Sequence, residues 1–352
     1  MTALADLIKA QIRATGPLSL ADYMSLCLSH PRHGYYMTRD PLGKAGDFTT
    51  APEISQMFGE LIGLCLAQTW LDQGAPSPFL LVELGPGRGT LMTDILRATA
   101  QVAGFHDAAR LHLVETSKPL RAHQAARLPK AQWSAHIEDL PSGPIFGVAN
   151  EFFDALPIRQ FQRCGAQWRE CQIGLHEDML TPGLSEPVPL PELAHRLADT
   201  ADGDIVETCA AAQQITNRIG ARIANEGGAM LIIDYGGWRS LGDTFQAVRD
   251  HASVDPLARP GQADLTAHVD FEALAHAATP ARHTQITEQG LFLHRLGIAA
   301  RTQTLAQNLQ GTALETHLGA YRRLTDQAEM GSVFKVLGLY PHKAMPPPGL
   351  DP

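Results

Sequence analysis

The chain of 352 residues has no apolar run near the roughly twenty residues that a membrane-spanning helix requires, so no membrane insertion is expected. It has no basic excess either. Its 28 Lys and Arg stand against 37 Asp and Glu, a formal net charge of −9, and no broad cationic face for nucleic acid is expected. Cysteine is scarce: Cys27, Cys65, Cys164, Cys171 and Cys209 are odd in number and scattered, which excludes a disulfide framework and fits a reducing compartment. Cys164 and Cys171 lie too far apart for a C-x-x-C knuckle and have no second pair, so no metal site is expected. The stretch Met1 to Ile12 contains Asp6 and lacks the basic region and cleavage site of a secretory signal. It is also poor in the Arg and Ser of a transit peptide, and the expected location is the cytoplasm.

What the chain does carry is alternation. Strands are predicted over 79–84, 110–115, 131–137, 145–150 and 229–234, with a last one over 333–339. Short apolar runs alternating with helical patterns argue an α/β fold with a mostly parallel, doubly wound, Rossmann-like sheet. Residues 1–75 read instead as an N-terminal helical region. Leu4, Leu7, Ile8 and Ile12 recur at helical spacing, Ser19 can cap a second helix, and a third is predicted from Glu53 to about Gln73.

The core then spans 76–352, with insertions at about 158–206 and 237–269. The first insertion has the texture of an antiparallel meander, followed by a helix predicted from about Glu207 to Asn225. The second is too long for an ordinary connection and is therefore functional or locally structured. Helices are predicted around 271–277, 291–309 and 313–325, and the Pro-rich tail is expected to be disordered.

The first predicted strand ends in Glu83-Leu84-Gly85-Pro86-Gly87-Arg88-Gly89-Thr90. Glycines at alternate positions between a strand and a helix bare the backbone to a nucleotide-like ligand. A dinucleotide fingerprint would need its third glycine at position 90, where Thr90 stands, and the Lys-Ser or Lys-Thr of a P-loop is absent. The spacing suits S-adenosyl-L-methionine (SAM), which has no pyrophosphate to cradle and whose ammonium a carboxylate such as Glu83 can hold. A glycine turn from some other α/β domain is the competing reading.

Ligands of open α/β sheets sit beyond the carboxyl ends of the strands. The second predicted strand ends in Glu115-Thr116-Ser117, where Glu115 can accept both ribose hydroxyls of an adenosine; the alternative is a helix cap with Glu115 merely solvated. The third runs into Ile137-Glu138-Asp139-Leu140, a turn against which an adenine can lie, or a plain acidic surface turn. The fourth ends in Asn150-Glu151-Phe152-Phe153-Asp154, where in doubly wound methyltransferases the methyl acceptor meets the cofactor. Paired carboxylates beside a carboxamide suit a guanidinium, which presents a planar fork of donors and carries positive charge toward a sulfonium. Against this, Asp154 can cap a helix and the phenylalanines can be core. The fifth ends in Asp234-Tyr235-Gly236, whose carboxylate either faces the acceptor or supports its neighbours.

Outside the strands, Gly46, Asp47, Phe48 and Thr50 precede a helix start at Pro52-Glu53 and form a candidate lid over bound cofactor. In Asp264-Leu265-Thr266-Ala267-His268-Val269-Asp270-Phe271, His268 is either a base or structural, and Asp270 is a candidate N-cap.

Taken together, His30-Pro31, Gly34-Tyr35-Tyr36, the 46–56 segment, Glu83 to Thr90, Asn150 to Pro157, Asp234-Tyr235-Gly236, Asp264 to Phe271, Met330-Gly331 and Phe334-Lys335-Val336 resemble the MidA-like group of SAM-dependent methyltransferases. That group includes the mitochondrial complex I assembly-factor arginine methyltransferase. The resemblance spans nearly the whole chain. It implies a class I methyltransferase core, SAM as donor, and a protein substrate methylated on arginine, with a complex I subunit as the substrate in the mitochondrial branch. Another acceptor (a small molecule or a protein lysine) and a non-catalytic assembly factor on the same fold are the alternatives. The chain departs from the group at Ala51, where a serine often precedes the proline, which puts a hydroxyl contact there in doubt.

Overall fold

The computed structural model describes residues 2–38 and 49–352, so the predicted lid residues Gly46, Asp47 and Phe48 lie outside the described residues. The chain forms two units. One comprises Thr49–Phe153, Gln213–Trp238 and Phe271–Pro352; the other comprises Asp154–Ala212, Arg239–Asp270 and the described part of Met1–Phe48.

The first unit is built on a sheet in which Arg282–His283, Phe334–Tyr340, Gly228–Gly237, Ile145–Asn150, Phe79–Leu84, Ala109–Val114 and Gln132–Ser134 lie side by side in that order. The last five run parallel, and Phe334–Tyr340 is antiparallel to Gly228–Gly237. This is the doubly wound α/β sheet expected from the alternation. Phe79–Leu84 and Ile145–Asn150 are buried at every position, because helices cover both faces of a parallel sheet and leave no solvent side to alternate with. Strand order reverses at Phe79–Leu84, whose neighbours are the next strand in sequence on one side and Ile145–Asn150 on the other. A crevice opens beyond such a switch point.

Helix Gln56–Asp72 packs on helix Thr90–Thr99 through two glycines. A Cβ at Gly59 would lie 2.6 Å from Asp94 Cβ, and one at Gly63 would lie 2.9 Å from Ile95 Cα, so only glycine permits this approach. Behind it, buried Glu60 accepts hydrogen bonds from Arg97 and Arg301, which hold its carboxyl below the usual range despite burial.

Several predicted elements differ in detail. The helix from Glu53 is two, Ala51–Ile54 and Gln56–Asp72, because Ser55 is extended and its hydroxyl accepts the Met57 amide as the cap of the second. The helix over 291–309 is also two, Gln289–Arg295 and Ile298–Ala306, parted at Gly297 with φ +93°. The third parallel strand is short, Gln132–Ser134, and Ile137–Asp139 is a 3-10 turn. The Pro-rich tail is not disordered: Leu350 is buried, the Asp351 carbonyl accepts the Gln285 amide, and the Pro348 carbonyl accepts the Cys65 thiol.

In the other unit, Leu18–Ser19, Gln167–His176, Arg159–Cys164 and Ile205–Thr208 form an antiparallel sheet, with Met179–Leu184 also on Gln167–His176. Glu207 is therefore in a strand, and the helix predicted to begin there starts at Ala210. The second insertion is locally structured as a three-stranded antiparallel sheet of Ala252–Val254, Gln246–Arg249 and Asp264–Thr266. Helices Ala3–Thr15 and Leu20–Ser29 bury Leu4, Ile8, Tyr23 and Met24 against Ile173 and Leu265. Ser19 caps the second of them by accepting the Asp22 amide. Among the described residues no helix is long and apolar enough to cross a membrane, no group of His, Cys, Asp or Glu is arranged to hold a metal ion, and all five cysteines are free.

Candidate active site

The glycine turn sits at the switch point because the strand Phe79–Leu84 ends there and the helix Thr90–Thr99 begins. Gly85, Gly87 and Gly89 all have positive φ, +61°, +51° and +78°, which side chains rarely adopt. At Gly85 there is a second constraint: a Cβ would lie 2.7 Å from Phe152 Cδ2. Thr90, in place of a third fingerprint glycine, donates its hydroxyl to Glu53 and accepts from Arg127, so it ties the turn to the short helix Ala51–Ile54.

Glu83 is 3 % exposed and its Oε2 has no hydrogen-bond partner among the described residues. Burial pushes its carboxyl up to about 8, opposed by the Met92 amide and reinforced by nearby Glu115. Orphaned buried carboxylate oxygens are rare, and this one stands one residue before the end of the strand that leads into the glycine turn.

Glu115 follows the neighbouring strand and is buried rather than solvated. Its Oε1 accepts the Ser117 amide at 2.7 Å, and Gln124 Nε2 donates to its Oε2 at 3.3 Å. Burial raises its pKa, opposed by the Ser117 amide and Gln124. The same Gln124 Nε2 donates to the Gly87 carbonyl at 2.7 Å, so Gly87 and Glu115 are tied together. Ser117 also caps the helix Lys118–Arg127, so the cap and the held carboxylate coexist. Asp139 is exposed, with its Oδ2 accepting the His136 amide to close the 3-10 turn, and Leu140 beside it is buried.

Asn150 and Glu151 end the adjacent parallel strand. Glu151 has φ +52°, a strained conformation for a residue with a side chain. Its Oε1 accepts the Ala51 amide and Asn150 Nδ2, each at 2.9 Å. Position 51 thus contributes through its backbone, which explains why alanine serves there. Asn150 is 7 % exposed and its Oδ1 has no hydrogen-bond partner among the described residues. The strand predicted over 229–234 runs on to Gly237, and in it the wholly buried Asp234, one residue beyond the last paired with Ile145–Asn150, accepts the amides of Phe152 and Phe153 on Oδ2 and that of Tyr235 on Oδ1. It does not face open space; it faces backbone. Thr50 is half-buried at the start of helix Ala51–Ile54 and makes no side-chain cap.

The remaining candidates belong to the other unit. Asp154, the residue at which the chain enters it, is buried, and its carbonyl accepts the Ala267 amide. Tyr36 donates to Asp264 Oδ1 at 2.7 Å, a pairing of two motif residues that no local spacing reveals. Burial, then the charges of Asp264 and Asp154, push the Tyr36 phenol well above its ordinary range. His268 is exposed and its amide donates to Thr244 Oγ1. Asp270 Oδ2 accepts the Ser240 amide, so its carboxylate braces the second insertion.

A family profile described as "Putative S-adenosyl-L-methionine-dependent methyltransferase" matches residues 61–288. The chain is 38 % identical to the protein arginine methyltransferase NDUFAF7 homolog, mitochondrial, of Drosophila melanogaster, over 96 % of this chain and 85 % of that protein. It is 36 % identical to the mitochondrial protein arginine methyltransferase NDUFAF7 of Homo sapiens, over 95 % and 82 %. Among solved structures, a Burkholderia thailandensis protein bound to S-adenosyl-homocysteine superposes with a TM-score of 0.80 at 26 % identity, over 99 % of this chain and 93 % of that one.

Proposed function

Because the chain belongs to this family of S-adenosyl-L-methionine-dependent methyltransferases, we propose that it methylates a nitrogen of an arginine side chain in a protein substrate. Its cofactor is S-adenosyl-L-methionine and its core is the class I methyltransferase fold. The residues at the switch point suit that cofactor. Glu83 offers a buried oxygen in want of a donor, which an ammonium supplies. Glu115 stands at the next strand end, where ribose hydroxyls fit, and Gly85 and Gly87 present backbone without side chains. Asp139 and Leu140 flank the adenine in this reading. Bound there, the cofactor supplies an electrophilic methyl group on a sulfonium.

The observation that carries the arginine reading is the strand end Asn150-Glu151. A guanidinium has five N–H donors and no acceptor, and it stays charged in water. A buried carboxamide oxygen without a partner, next to a carboxylate, is the complementary surface. Asn150 and Glu151 would accept guanidinium N–H bonds and orient one nitrogen toward the methyl group, and the Glu151 carboxylate would take up the proton which that nitrogen gives up. Glu151 also offsets the charge of bringing one cation to another. Acceleration comes from positioning and electrostatics, with no covalent enzyme intermediate. The names of the relatives at 36–38 % identity support the same acceptor. The motif resemblance extends the proposal to a complex I subunit as substrate. The free cysteines support a reducing setting, in this reading the bacterial cytoplasm.

The test is transfer of labelled methyl from SAM into an extract of cells lacking the gene, followed by hydrolysis and separation of the methylated amino acids. Label in methyl-arginine is expected. Label confined to methyl-lysine or to small molecules, or no label at all, overturns the reading.

A further inference from the structure

The three amides that follow the strand Ile145–Asn150 are all satisfied by Ile233 and Asp234 of the neighbouring strand Gly228–Gly237. The Glu151 amide continues the ladder by donating to the Ile233 carbonyl at 2.9 Å. The next two cannot, because Glu151 turns the chain into the left-handed region at φ +52°. Instead the Phe152 and Phe153 amides both donate to Asp234 Oδ2, at 3.2 and 3.0 Å, while Asp234 Oδ1 accepts its own neighbour Tyr235 at 2.9 Å. Successive N–H groups converging on one oxygen form an anion nest, here filled by a side chain. Asp234 is 0 % exposed, so these bonds are not shared with bulk water.

We propose that Asp234 is a positioning residue for methyl transfer, acting through Glu151. By pinning the two amides after Glu151 it holds the strained turn, and with it the Glu151 carboxylate that bonds the Ala51 amide and Asn150. Left-handed backbone at a residue with a side chain persists only where its surroundings over-determine it. The Asp234 carboxylate is that constraint. The same turn sets Phe152 against Gly85, so one carboxylate aligns the acceptor strand end with the glycine turn. The inference rests on the reading of Glu151 as an acceptor-binding group.

The experiment compares D234N, D234E, E151Q and the double variant D234N/E151Q. The acceptor is extract from cells lacking the gene, with label counted in methyl-arginine, and S-adenosyl-homocysteine binding is followed by calorimetry. D234N replaces one amide acceptor by a donor. D234E keeps the buried charge, so it provides the comparison if D234N folds poorly, but it displaces the carboxylate by a methylene. Either single Asp234 variant is expected to lower the rate at least 10-fold with cofactor-product affinity within about twofold of wild type. On the E151Q background, D234N is expected to add less than a further twofold loss. If E151Q is impaired but Asp234 variants keep the wild-type rate, or their loss multiplies fully with that of E151Q, the positioning role is overturned while Glu151 stands. An unimpaired E151Q overturns the Glu151 reading itself, and the inference with it.

Discussion

Glu83 and Asp234 are both buried acids in parallel strands of one sheet, yet they are occupied differently. Three backbone amides converge on Asp234. Glu83 keeps an oxygen with no partner among the described residues, and burial raises its pKa to about 8. A buried acid whose oxygens accept backbone amides organises the chain around it. A buried acid with an oxygen left over is a poor structural element and a good receptor for a cation. The contrast separates residues that build the site from residues that await the ligand, although both types look alike in the sequence.

The contrast breaks most readily at Asp234. Asp234→Ala leaves buried amides without acceptors and is expected to destabilise the fold by about 3–5 kcal/mol, read by denaturant unfolding. Loss below about 1 kcal/mol would mean that water replaces the carboxylate. Glu83→Gln should do the reverse. Glu83 has a folded-state pKa above the unfolded 4.5, so the ligand-free fold holds a proton that the unfolded chain has released. Stability from this group is therefore greatest below about pH 4.5 and declines as pH rises to about 8. Glu83→Gln should remove that decline, leaving the ligand-free protein as stable or more so at pH 8, while weakening S-adenosyl-homocysteine roughly 10–100-fold by calorimetry.

Gly85→Ala sharpens the link between the two strand ends. A side chain at φ +61° costs about 1–2 kcal/mol, and its Cβ would displace Phe152. A lowered melting temperature should therefore come with a weakened transfer rate. The smallest effect belongs to Thr90→Val, which removes the Glu53 and Arg127 contacts at the rim of the turn and should cost about 1 kcal/mol with little change in affinity.

The sheet was legible because buried parallel strands are unbroken apolar runs, so Phe79–Leu84 and Ile145–Asn150 were found with their observed limits. The places of chemistry followed, since each strand end names its own residues. What local pattern could not show was who meets whom. The Glu207 strand is held by pairing with Arg159–Cys164, more than forty residues away, and its flanking residues resemble a helix start. The tail is ordered by contacts with Cys65, Gln285 and Arg295 rather than by its own composition. Ser55 and Gly297 are breaks with a local signal, a capping hydroxyl and a glycine, inside otherwise continuous helical patterns. By position alone Asp234 could either face the acceptor or support its neighbours. Its oxygens are taken by amides from a turn some eighty residues earlier.

The most direct measurement is the proton balance of S-adenosyl-homocysteine binding at pH 7, taken by calorimetry in two buffers of different ionisation enthalpy. If the ammonium of the ligand docks on Glu83, binding expels the proton that burial retains there. Wild type should release about one proton more than Glu83→Gln. Equal proton release from the two proteins would contradict the assignment of Glu83 and, with it, the distinction between the filled and the waiting carboxylate.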